Sequence, residues 1–103
     1  MLPIRTAAAE RRPRADDPAA SVLCLSLRAA AETGVFARVV QQLARRSLLP
    51  LRWHSTVTGE HLLMDIQIAG LVEHDREQLA ESLRQIVGVE EVLTSALHRR
   101  SAA

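Results

Sequence analysis

The chain has 103 residues and a formal net charge of +1, which leaves room for one domain and gives no strong field to draw nucleic acid. Hydrophobic residues make up 48% of it, enough for a packed core, yet only Phe36 and Trp53 are aromatic, which argues against a base-stacking platform. The single cysteine, Cys24, excludes an internal disulfide and fits a reducing, cytoplasmic setting, and no apolar run approaches the ~20 residues of a membrane span.

Residues 1–20 hold Pro3, Pro13 and Pro18 and the charged run Glu10-Arg11-Arg12, without periodicity. They read as a mobile tail, with a basic arm that touches a partner as the alternative. From Ser21 to Arg28, Leu23, Leu25 and Leu27 alternate with Cys24, Ser26 and Arg28, the period of a strand with one buried face. Ala29 to Gly34 reads as a connection. Val35, Phe36, Val39, Val40 and Leu43 then form the stripe of an amphipathic helix, with Thr33 as its expected N-cap and Arg45 and Arg46 at its C-terminal end. Pro50 cannot continue a helix and opens a second strand, Leu51 to Val57.

Thr58-Gly59-Glu60 is a turn, and His61 to Ala69 returns with Leu62, Met64, Ile66 and Ile68 on one face. Asp75 and Gln78 have capping-box spacing. Leu79, Leu83, Ile86 and Val87 mark the inner side of a second helix over 75–87, and Gly88 suits the C′ position that ends it. Val89 to Leu97 is a fourth strand, and 98–103 reads as a frayed C-terminal tail. The order strand, helix, strand, strand, helix, strand gives an α+β, ferredoxin-like βαββαβ fold over 21–97. Its four-stranded antiparallel sheet carries both helices on one face.

Chemistry-bearing residues are sparse. His54, His61, His74 and His98 are scattered over a strand, a turn, a loop and the tail, without ligand spacing, so no metal site is expected. Ser26, Ser55 and Ser95 have no visible base partner, and no phosphate loop or GxSxG motif occurs. Cys24 has no CxxC neighbour and reads as a packed thiol. No catalytic residue, cofactor, nucleic acid or membrane is therefore expected.

The stretch ETGVFARVVQQLARRSLLPLRW, Glu32 to Trp53, resembles the first loop and helix of ACT domains, in which a loop glycine precedes an apolar-apolar-x-Arg-apolar helix start. Gly34, Val35, Phe36, Arg38 and Val39 fit that arrangement, and GVEEV, Gly88 to Val92, resembles the passage into the last strand. Arg38-Val39, the Arg45-Arg46 pair and the short length are most similar to small regulatory subunits of acetolactate synthase. The resemblance implies a non-catalytic regulatory protein that dimerises through sheet edges and binds and stabilises an acetolactate synthase catalytic (large) subunit in branched-chain amino acid biosynthesis. It further implies an effector site for a small amino acid such as valine, formed by Ala31, Glu32, Thr33, Gly34 and Val35 of one copy with Leu49 and Pro50 of the other. Leu51, Trp53, Ser55 and Arg38 would lie at the interface.

Three positions depart from the family pattern. Ala31 stands where amino-acid-binding members commonly have Asp or Asn, Leu49 where Asn is frequent, and Ser47 where a glycine follows the first helix. A subunit that stabilises its partner without sensing an effector fits these residues, and a stand-alone amino-acid sensor is the alternative.

Overall fold

The computed structural model describes residues 21–98. The tails expected at 1–20 and 99–103 lie outside the described residues. The elements are β1 (Ser21–Ala30), α1 (Thr33–Arg45), β2 (Arg52–Thr58), β3 (His61–Ala69), α2 (Glu73–Arg84) and β4 (Val89–His98). They form one antiparallel sheet of order β2-β3-β1-β4, the expected βαββαβ architecture. No described helix is long and apolar enough to cross a membrane.

Alternation fixes which face of the sheet is covered. Leu23, Leu25, Leu27 and Ala29 of β1 and Leu62, Met64, Ile66 and Ile68 of β3 are all buried. They share one core with Val35, Val39 and Leu43 of α1 and Leu79, Ala80 and Leu83 of α2, so both helices lie on the same side. Each of the large side chains here contributes about 1.5–3 kcal/mol through removal from water. Helices of 13 and 12 residues would be marginal alone and depend on this burial.

Several local expectations are corrected. β1 runs through Ala30, taking residues expected in the connection. The N-cap of α1 is Glu32, not Thr33, because the Glu32 carbonyl already accepts from Val35 and Phe36 N–H; Thr33 is the first helical residue. Asp75 and Gln78 make no capping box, since α2 starts at Glu73 with Val72 at its N-cap and no side-chain cap. Glu73 and Asp75 instead lie in its first turn, where negative charge offsets the macrodipole. The same helix stops at Arg84 with Gln85 as C-cap, so Gly88 is not its C′ residue. Val87, expected inside, is 84% exposed. β2 begins at Arg52 rather than Leu51. His98, expected in the frayed tail, pairs with Ser21 in the sheet.

The hairpin joining β2 and β3 is tight. Thr58 pairs with His61, leaving Gly59-Glu60 as the loop. Only Gly59 takes a positive φ (63°), as a type II′ turn requires at its first central position.

Candidate regulatory surfaces

Two features stand out among the residues singled out by sequence. The first is the loop from β1 to α1. Ala30 N–H donates to Gly88 O (2.8 Å) and Ala31 N–H to Glu60 O (3.1 Å), so the start of the loop is tied to the residue before β4 and to the β2–β3 hairpin loop. Ala31, Glu32, Thr33 and Gly34 are exposed, whereas the Val35 side chain belongs to the core. The first backbone N–H groups of α1 have no side-chain cap. Gly34 has room for a Cβ and does not adopt a positive φ, so its own turn does not require glycine. The Arg38 Nη1 lies 4.0 Å from the position that such a Cβ would take.

Leu49 and Pro50 do not join this loop within one chain. They precede Arg52, which pairs with Gln67, which in turn pairs with Cys24 on β1. The loop follows Ala30, six residues further along β1, about 20 Å away at strand rise. The expected effector residues therefore sit at opposite ends of the sheet, with Leu49 87% exposed.

The second feature is the free edge of β2. Leu51 N–H donates to Gln67 O (2.7 Å), so β3 turns its odd-numbered backbone groups toward β2. Arg52, His54, Thr56 and Thr58 pair with those residues, leaving Trp53, Ser55 and Val57 with backbone groups turned outward. Their side chains share the sheet face that carries the helices, since their partners are Ile66, Met64 and Leu62. Trp53 packs partly against the core, donates from Nε1 to Ser55 Oγ (2.6 Å) and meets Phe36 edge-to-face with ring centroids 5.7 Å apart. Phe36 (37% exposed), Val40 (41%) and Val57 (64%) extend an apolar surface along this edge, with Leu51 also exposed.

The sequence stripe had placed Phe36 and Val40 with the core. They form its exposed shoulder instead. Their i+1 offset from Val35 and Val39 was the signal that separates them, because a narrow helix stripe buries only one of two adjacent rows. Among the described residues no group of three or more His, Cys, Asp or Glu is placed to hold a metal ion. Cys24 is half-buried on the uncovered sheet face.

Comparison with known proteins agrees with this architecture. The sequence profile described as an ACT-like domain matches residues 17–101. No curated protein sequence matches the chain. Among solved structures, it is similar to the ACT domain of GTP pyrophosphokinase from Chlorobium tepidum, with a TM-score of 0.65 and 11% identity over 72% of this chain and 96% of that one. The C-terminal domain of the MgtC protein from Mycobacterium tuberculosis superposes with a TM-score of 0.62 and 18% identity, covering 85% and 99% of the two chains. The regulatory subunit of aspartate kinase from Thermus thermophilus gives a TM-score of 0.58 at 20% identity over 75% of this chain, which spans 54% of that subunit. At these identities the likeness is one of fold.

Proposed function

Since this chain belongs to the ACT-like domain family, we propose that it is a non-catalytic regulatory module that pairs with a second copy through β2 and acts on a larger enzyme by contact. The observation that carries this reading is the β2 edge. A twofold axis at Ser55 sets Trp53 of one copy opposite Val57 of the other and brings Phe36 and Val40 to the seam. Aromatic and β-branched cross-strand pairs of this kind contribute about 0.2–1 kcal/mol each, beyond the apolar area they bury. The same axis carries Leu49 and Pro50 of one copy toward the β1–α1 loop of the other, so the effector site expected from the sequence is complete only in the pair.

The partner we infer is an acetolactate synthase catalytic subunit. Arg38, Arg45 and Arg46 support it as exposed residues of α1 and its C-cap, and together with the buried Val39 they make the Arg38-Val39 and Arg45-Arg46 pairs that resemble the small subunits of that enzyme. Co-purification with the thiamine-diphosphate catalytic subunit tests it. Association together with a change in catalytic activity is expected, and failure to associate with indifferent activity contradicts it.

A second reading, a stand-alone amino-acid sensor, draws on the exposed, uncapped start of α1, where backbone N–H groups suit a carboxylate. Thermal-shift titration with valine, leucine, isoleucine, serine and phenylalanine separates the two. A ligand present at about 100 times its Kd stabilises by about 2.7 kcal/mol, and a flat response across the set dismisses the sensor.

A further inference from the structure

The second free edge, β4, differs from β2 in chemistry. Among the described residues it pairs only with β1. The bond from Ala30 N–H to Gly88 O sets the alternation of β1, turning its even-numbered backbone groups toward β4. Their partners there are Glu91, Leu93, Ser95 and Leu97, so Val92, Thr94 and Ala96 turn theirs outward. The bond from Arg84 Nη2 to Val92 O (3.1 Å) agrees and marks one end of the free stretch. Between Val92 and Leu97 the strand has no charged residue and no proline, and the β-bulge lies further back, at Arg28/Ala29. The usual devices that blunt an edge are absent from this stretch.

On the helix side, a groove of about 350 Å³ separates α2 from this edge, with Leu23, Ala80 and Ala96 in its lining and Glu73, Arg76 and Glu77 along its helix wall, where the Arg76 guanidinium donates to Leu71 O (2.9 Å) and to Ser21 Oγ. Neither glutamate forms an ion pair with a described residue, whereas Arg84 is held by Glu81 (3.5 Å) and by Val92 O. One helical turn apart, Glu73 and Glu77 are separated by about 6 Å along the helix axis. Alternate side chains on an added strand would repeat at about 6.7 Å, close to that spacing.

We propose that the β4 edge and the α2 groove capture an extended segment of a protein partner by strand addition, with basic side chains at alternate positions reaching Glu73 and Glu77. This rests on the reading that the chain works through protein contacts, and it names the surface. A second copy suits β2, where Trp53 and Val57 are self-complementary.

The test titrates the isotope-labelled full chain with a nine-residue peptide alternating arginine with threonine. Control peptides carry the same arginines in one block, or glutamates in their place. Saturable amide shifts on Val92 to Ala96 and α2 are expected, with the controls about tenfold weaker or more. Thr94→Pro is expected to abolish binding, since the Thr94 N–H faces outward and its loss leaves the β1 ladder intact. Glu77→Arg should weaken binding about fivefold or more without requiring a change in the strand. Equal binding of all three peptides, shifts confined to β2, or no saturable binding overturns the proposal. A fall in sedimentation mass on Thr94→Pro assigns the edge to a second copy, and peptide binding only after removal of residues 1–20 assigns it to the chain's own arginine arm. Either outcome overturns it. Failure here leaves the β2 pair standing, because that reading is measured by assembly mass rather than by peptide binding.

Discussion

Gly88 and Ser47 both adopt left-handed backbone conformations, with φ of 103° and 56°, but for different reasons. Gly88 is the third residue of a turn closed by Val89 N–H to Ile86 O (3.0 Å), and a Cβ there would lie 2.5 Å from Val35 Cγ2. Gly88→Ala therefore combines backbone strain with overpacking and should lower unfolding free energy by roughly 3 kcal/mol in urea titration. Ser47 is the C′ residue of a Schellman motif. Its N–H donates to Ala44 O (3.0 Å), and Leu48 N–H donates to Leu43 O (2.9 Å). The family's glycine position thus keeps its geometry with serine in it. Ser47→Gly should raise stability by about 0.5–1 kcal/mol by relieving the Cβ clash. Gly34 is the contrasting position, because nothing crowds a Cβ there. Gly34→Ala should hold or raise the melting temperature, and on the sensor reading it should weaken amino-acid binding by obstructing the approach of a carboxylate.

At the scale of elements, the strands were the most legible part. Period-two alternation named the buried residues of β1 and β3, because successive side chains of a strand point to opposite faces and the helices cover one face of these two central strands. Helix ends were less legible. Thr33 and Asp75 have capping side chains, but the starts are set by carbonyls one residue earlier for α1 and three residues earlier for α2, at Glu32 and Val72. Propensity supplied candidates and loop anchoring chose among them. Leu83, inside α2 and wholly buried, ties that helix to the sheet. Leu83→Ala should cost about 2–5 kcal/mol in thermal or urea unfolding. The candidate site was only half legible. Sequence named both the loop and Leu49-Pro50, but not that they lie at opposite ends of the sheet, since that depends on strand register. The exposed shoulder of Phe36 and Val40 and the glutamate row beside β4 emerged only from the packing.

For the molecule as a whole, two helices on one face of the sheet leave two open edges, and the two edges differ in character. β2 carries an apolar, self-complementary set, and β4 an uncharged stretch from Val92 to Leu97 beside two carboxylates, Glu73 and Glu77, that form no ion pair with a described residue. One edge suited to a copy of the chain and the other to a foreign segment gives a regulator a way to join assembly to partner capture. A ligand bound at a seam between copies shifts such an assembly only as far as its affinities for two states differ. The central claim is pairing through β2, and sedimentation equilibrium of the full chain at micromolar concentration, with and without Val57→Asp, measures it most directly. The account predicts twice the chain mass for the wild type and the single-chain mass for the variant. A single-chain mass for the wild type, or a dimer that Val57→Asp leaves intact, would contradict it.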